Sequence, residues 1–238
     1  MSQDQDDFRI RNRVLLAFGD DVLDALRHSM STRPLTSGQR LYSEGEPFTH
    51  AIFPHSGVVS LLKTEANGIS AEKTSIGNEG FVGAALLFGG GAALSTSVVS
   101  VAGYASWLKI DALSEVSERE PAVIAAVNRY ARALIFQLME STACVNIHSA
   151  EQRLARWLLT TEDRCNHRSI PVTQATIAEV MSLRRATVNT ILKGFGESKL
   201  VQTGSGSIQI LDRRGLMNRS CGCYARISGV FQATDPRG

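Results

Sequence analysis

Residues 122–148 contain neither glycine nor proline, and Pro121 stands where a helix tolerates proline best, in its first turn. Across this stretch Val127, Ala131, Leu134, Leu138, Ser141, Val145 and His148 recur at alternating steps of four and three. A period of 3.5 keeps one stripe on one side of a helix and suits packing against an identical helix. The spacing predicts a single long helix over 120–148. Its expected dimer contacts are Val127, Ala131, Leu134, Leu138, Ser141 and Val145. A monomer would leave that stripe in water, which soluble chains avoid. The rival reading lays the stripe against the chain's own core.

What flanks this helix differs on its two sides. From 34 to 110, short β-rich runs (41–42, 51–53, 58–63, 74–76, 98–101 and 105–110) alternate with glycines, Gly68 among them. Strands at such intervals predict a sandwich or barrel. Before them, residues 8–30 carry Leu15, Leu16, Phe18, Val22, Leu23 and Leu26 at helical spacing, broken near Gly19. After the long helix, Ser149 followed by Gln152 has the form of a capping box opening a helix over 150–163. The hinge between the halves is expected near 146–150.

Composition narrows the class. The chain is 43% hydrophobic and 20% charged, and no apolar run approaches the ~20 residues of a membrane span. Residues 1–7 are acidic and polar, unlike a secretory leader. Four cysteines are too few for a disulfide scaffold, so a reducing cytoplasm is the expected compartment. Residues 1–150 hold 12 Lys and Arg against 16 Asp and Glu, a net of −4. Residues 151–238 hold 13 against 7, a net of +6. A basic domain concentrates a polyanion around itself.

Residues 171–211 say which polyanion. Thr173 can cap a helix facing inward through Ile177, Ala178, Val180 and Met181. After a break at Ser182 and Leu183, a second helix is expected over 184–195, with Val188, Ile191 and Leu192 inward. Two short helices across a tight turn make a helix-turn-helix. The runs 200–203 and 208–211 about Gly204, Ser205 and Gly206 form a hairpin wing. An α-helix fits the major groove of duplex DNA. The outward side chains of the second helix are Arg184, Arg185, Thr187, Asn189, Thr190 and Lys193. Arginine can grip guanine O6 and N7 together, while Thr173, Thr187, Lys193, Lys199 and the wing suit backbone phosphates, and Gln174 is a further DNA-binding candidate.

These parts together resemble the Crp/Fnr superfamily over about residues 12–216. The resemblance is carried by 41–45, 53–59, the loop Gly77-Asn78-Glu79-Gly80-Phe81-Val82-Gly83, the run 153–158, and Arg185-Ala186-Thr187-Val188. It implies an α+β chain with three parts. An effector-sensing jelly roll of the cyclic-nucleotide-binding type with N-terminal helices occupies 1–119, a dimerisation helix 120–148, and a winged helix-turn-helix DNA-binding domain 149–238. It further implies a homodimeric transcription factor on palindromic duplex DNA, with RNA polymerase and a small-molecule effector as further partner classes. Ala186 stands where the family has glutamate in the reading helix, and Thr190 where it has a later arginine. A different operator is therefore expected.

The resemblance also locates the cyclic-nucleotide pocket, in degenerate form. Gly83 matches, but the ribose-binding glutamate falls on Ala84 and the phosphate-binding arginine on Leu94. Ser95 survives, and the adenine-contacting pair falls on Leu138 and Met139. A buried phosphate without a cationic donor is costly, so cyclic AMP is not expected in the usual pose. No cofactor and no metal are expected. Cys221 and Cys223 offer only two ligands of a tetrahedral site, and His148 is read as a packed helix residue. Two alternatives stay open: a ligand- or redox-sensing regulator using Cys221 and Cys223, and a dimeric adaptor that binds no DNA. An enzyme is not expected, because the chain has no Walker loop, G-x-S-x-G or H-E-x-x-H.

Overall fold

The computed structural model describes residues 10–65, 70–165 and 169–233. The acidic start, Gly68 and His167 lie outside the described residues. The chain opens with α1 (Arg13–Leu16) and α2 (Asp20–Leu26), separated at Gly19 as the sequence suggests. Asn12 is wholly buried and caps α1 by accepting from the backbone N–H of Val14 and Leu15, both at 3.1 Å. Its side-chain amide donates to the carbonyls of Pro54 and Gly80, tying the helix to the sheet.

The sheet follows as β1 (Met30–Leu35), β2 (Arg40–Tyr42), β3 (His50–Thr64), β4 (Ser70–Ile76) and β5 (Thr96–Lys109). It is antiparallel in the order β1-β5-β3-β4, with β2 also on β5. Nothing in the sequence pattern announces β1. It is an edge strand of mostly exposed polar residues and contains Pro34, which only an edge tolerates. The runs 51–53 and 58–63 are one strand, as are 98–101 and 105–110 up to Lys109. Each is long and irregular in register about a glycine, Gly57 in β3 and Gly103 in β5. Gly57 has φ +86°, and a Cβ there would sit 2.6 Å from the carbonyl oxygen of Val101. At Gly103 a Cβ would collide with the backbone of Ser56. The crossing strands approach so closely that neither position accepts a side chain.

The sheet leads into α3 (Ile110–Arg119), which the sequence reading leaves unassigned, and α4 (Pro121–Ile147). Next come α5 (Ala150–Cys165), β6 (Ser169–Ile170), α6 (Gln174–Val180), α7 (Arg185–Glu197), β7 (Val201–Gly204) and β8 (Ser207–Ile210). Two helices end the described chain, α8 (Arg213–Arg219) and α9 (Cys223–Gln232). The capping box forms as spaced: Ser149 Oγ accepts from Gln152 N, and Gln152 Oε1 accepts from Ser149 N. It separates α5 from α4 at His148 and Ser149.

Core packing does not stop at the hinge. Phe53 stacks on Phe81 at 4.7 Å between ring centres, and Phe81 lies against Tyr130 of α4. The same apolar cluster takes in Cys221, Cys223, Ile227 and Phe231, so the junction before α9 and α9 itself pack back onto α4. A second cluster joins Val58 and Val101 of the sheet to the inner faces of α5, α6 and α7. Between the halves lies a buried ion pair. Arg164 of α5 grips Glu79 with both prongs, at 2.6 and 3.1 Å, and also donates to Ser75 Oγ at 2.8 Å. Among the described residues no helix is long and apolar enough to cross a membrane.

Candidate nucleic-acid interface

α6 begins at Thr173, whose hydroxyl oxygen accepts from Thr176 N at 3.1 Å. Ile177, Ala178 and Val180 turn inward. The turn that follows reverses at Ser182, which has φ +52°, a left-handed conformation rare outside glycine. α7 then starts with Arg184 as its N-cap and buries Val188, Leu192 and Phe195. Arg184 makes no side-chain cap. Thr187 N donates to Arg184 O at 2.9 Å, and the Arg184 side chain caps none of the first turn, a geometry suited to phosphate oxygens.

The remaining face of α7 is polar. Arg184, Arg185, Asn189, Thr190 and Lys193 are exposed, and Thr187 is half-buried. The Thr190 hydroxyl donates to Ala186 O at 3.0 Å, so it offers a ligand its lone pairs. Lys193 lies 3.9 Å from Glu197 in a solvent-exposed pair that leaves its charge available. β7 and β8 form the wing, with Gly206 at φ +74° in its turn. Thr173, Gln174 and Arg185 share with Thr203, Gly204, Gly206 and Ser207 one open concavity of about 330 Å³. Residues from both ends of the motif thus line a single groove between helix and wing.

The positions of the degenerate nucleotide pocket are partly scattered. Gly83 has φ +104° and opens a short 3-10 turn over Ala84–Phe88, where Ala84 is half-buried. Leu94 is 72% exposed and fills no pocket. Leu138 and Met139 lie exposed on α4. Ser95 is buried and accepts from Lys73 Nζ at 2.9 Å, and the same ammonium donates to Leu94 O. The expectation of no cation beside Ser95 is therefore corrected. Lys73 arrives from β4, 22 residues away in the chain, where local spacing gives no signal.

The stripe expected at a dimer contact is divided between the two sides of α4. Val127 is 1% exposed within its own protomer and Leu134 packs against the same core, because this side of α4 covers Phe81 and the sheet. Val127 is not free for a partner helix, and Leu134 only in part. Ala131, Leu138, Ser141 and Val145 keep some exposure, and Ile124, Ile135, Met139 and Ile147 add exposed apolar surface. The outward stripe runs through Ile124, Ala131, Ile135, Leu138 and Val145, partly beside the expected one.

Two features go beyond the sequence reading. The first is a crevice of about 420 Å³ between β4, α4, α5 and the turn after α6. Lys73, Arg153, Arg156 and Arg164 line it beside Glu72, and among the described residues the Nε atoms of Arg153 and Arg156 have no hydrogen-bond partner. Burial raises the carboxyl pKa of Glu72 despite a hydrogen bond from Ser60 and the nearby guanidinium of Arg164. The second supplies two further candidate ligands beside Cys221 and Cys223. Cys144, His148, Cys221 and Cys223 come together with their ligand atoms all within 4.8 Å of one another. Cys165 is not among them. Cys144 and His148 are one helical turn apart, and Cys221 and Cys223 sit at the head of α9. Cys221 and Cys223 were legible as a pair, but Cys144 and His148 were not, and the meeting of the four depends on α9 folding back.

The chain thus combines a sheet capped by helices, a long helix and a winged helix-turn-helix. Residues 152–219 match the model of the Crp-like helix-turn-helix domain, and about four fifths of the chain shares the fold of solved Crp/Fnr family regulators. FixK2 from Bradyrhizobium japonicum superposes with a TM-score of 0.69 at 15% identity, covering 81% of this chain and 98% of its own. TTHB099, a CRP-family transcriptional regulator from Thermus thermophilus, gives 0.65 at 17% identity, covering 79% and 96%. The c-di-GMP responsive global regulator CLP of Xanthomonas campestris gives 0.62 at 13%, covering 80% and 98%. No curated protein matches the chain by sequence.

Proposed function

We propose that this chain is a homodimeric transcriptional regulator that lays α7 into the major groove of duplex DNA. The observation that carries the reading is the groove in which Arg185 stands beside Thr173, Gln174 and the wing. A base-reading guanidinium and phosphate-binding groups from three elements face one concavity there. Arg184, Asn189 and Thr190 flank Arg185 on the exposed face as further base or phosphate contacts. Each protomer would occupy one half-site, with half-sites about one helical turn apart.

Binding to a pool of duplex oligonucleotides, read by selection and by fluorescence anisotropy, tests this. Arg185→Ala should relax selectivity at one base pair by about 1–3 kcal/mol. Lys193→Ala should weaken all sites alike and flatten the salt dependence. A chain that stays dimeric yet ignores duplex DNA at low salt would be an adaptor instead.

An effector would act on that binding from outside the usual nucleotide seat. Cyclic AMP in the usual pose is not supported: no carboxylate stands at Ala84, and Lys73 already bonds Leu94 O and Ser95. The crevice is a better seat for a small anion, since guanidinium groups line it together with residues of β4 and of the turn at Ser182 that leads into α7. An anion held there would bias how α7 is aimed. Calorimetry with cyclic AMP, cyclic GMP and simple dianions, on the natural chain and on Arg156→Gln, separates the sites. Cyclic-nucleotide binding unaffected by Arg156→Gln would return the effector to the barrel.

A further inference from the structure

We propose that Cys144, His148, Cys221 and Cys223 hold a single tetrahedral zinc ion that pins the hinge end of α4 to the C-terminal helix α9. Cys144 lies in the last turn of α4, and His148 is its C-cap. One helical turn separates them, which puts both on one face. Cys221 and Cys223 come from the junction of α8 and α9. All three sulfurs are buried, and His148 is half-buried.

Metric detail fits one small ion. Four ligands at ~2.3 Å for sulfur and ~2.0 Å for nitrogen leave tetrahedral edges of roughly 3.5–3.8 Å. Cys144 Sγ and Cys221 Sγ are 3.5 Å apart, and Cys223 Sγ lies 3.7 Å from His148 Nδ1. Three thiolates and an imidazole are a soft set that favours zinc over calcium or magnesium. A set of four leaves no open position, so the site is structural. Entry of the ion requires no oxidant or reductant. Zn²⁺ replaces the thiol protons, which pass to solvent, and His148 binds through its neutral Nδ1. Glu140, itself bonded to Arg226 at 3.1 Å, stands beside Cys223 as an outer neighbour.

Residues 221 and 223 lie beyond the segment that matches the Crp-like domain, which ends at 219. The ion would fasten this added segment to the start of the hinge and so fix the angle at which α5 leaves α4.

The test is metal analysis of the full chain purified without chelator from zinc-supplemented cells. About one zinc per chain is expected, released when a mercurial titrates the thiols. Cys223→Ser should lose it, while Cys165→Ser should keep it. If Cys223→Ser does not fold, cobalt exchanged into the natural chain decides. Tetrahedral visible bands with a near-ultraviolet thiolate charge-transfer band support the site, and a weak octahedral spectrum overturns it. A chain with no zinc and four free thiols, a Cys144–Cys221 disulfide, or iron with sulfide in place of zinc would each overturn it.

Discussion

His55 shows how one side chain can set the acid limit of this fold. It is wholly buried between α1 and the sheet, and its Nδ1 accepts from the backbone N–H of Arg11 and Asn12 at 3.1 and 3.2 Å. Two donors on Nδ1 place the ring proton on Nε2, which faces Ser106 Oγ at 2.8 Å. A second proton has no room. Burial, helped by the charge of Arg11, lowers the pKa from 6.5 to about 4. Between those values the unfolded chain binds the proton and the folded one does not, so stability rises with pH through this window. The contribution is fully present above about pH 6.5 and falls away towards pH 4, by up to ~3 kcal/mol. Urea midpoints measured from pH 7 down to pH 4.5 should fall accordingly, and the extra slope should vanish in His55→Gln. A slope unchanged by that substitution would place the acid sensitivity elsewhere.

At the scale of elements, α4 faces two ways, and its two stripes can be told apart experimentally. The inner one holds Val123, Ala126, Val127, Tyr130, Ala133, Gln137 and Cys144, all buried within the protomer. The outer one leaves Ile135 58% exposed beside Leu138. Ile135→Glu should therefore convert a dimer to a 25.8 kDa monomer in light scattering while leaving the circular dichroism of the chain intact. Binding to a two-half-site duplex should weaken sharply, and binding to one half-site little. A variant that remains dimeric would move the interface off this stripe.

The same helix shows what a sequence can and cannot say. Its length, its proline start and the capping box beyond it rest on local rules, and all were legible. So were Thr173 as a cap and the wing about Gly206. The 3.5 period was real but did not say which side faces home, because Val127 and Ala131 are equally apolar. What stayed hidden was long-range: β1 lacks an alternating pattern, Lys73 reaches Ser95 from another strand, and Cys221 meets Cys144 only because α9 folds back.

Across the whole molecule, the pair Arg164–Glu79 is a buried tie between the sheet and the helices that carry α7. Both side chains are nearly sealed from solvent, and Gln137 of α4 and Ser75 of β4 complete the shell. Glu79 also accepts from Gly77 N at 3.0 Å, which fixes the loop that presents it. Breaking one partner of such a pair strands the other charge. Arg164→Leu should cost about 3–5 kcal/mol in urea unfolding, and Glu79→Leu added to it should recover part of the loss. Additive losses in the double variant would show that the two groups act independently.

Because that guanidinium belongs to the first helix of the helix-turn-helix half and its carboxylate to a loop of the sheet, a truncated gene encoding that half alone would produce an orphaned cation facing water across a freshly bared apolar floor. Cutting the protein in two at the hinge would yield fragments that each want the other back.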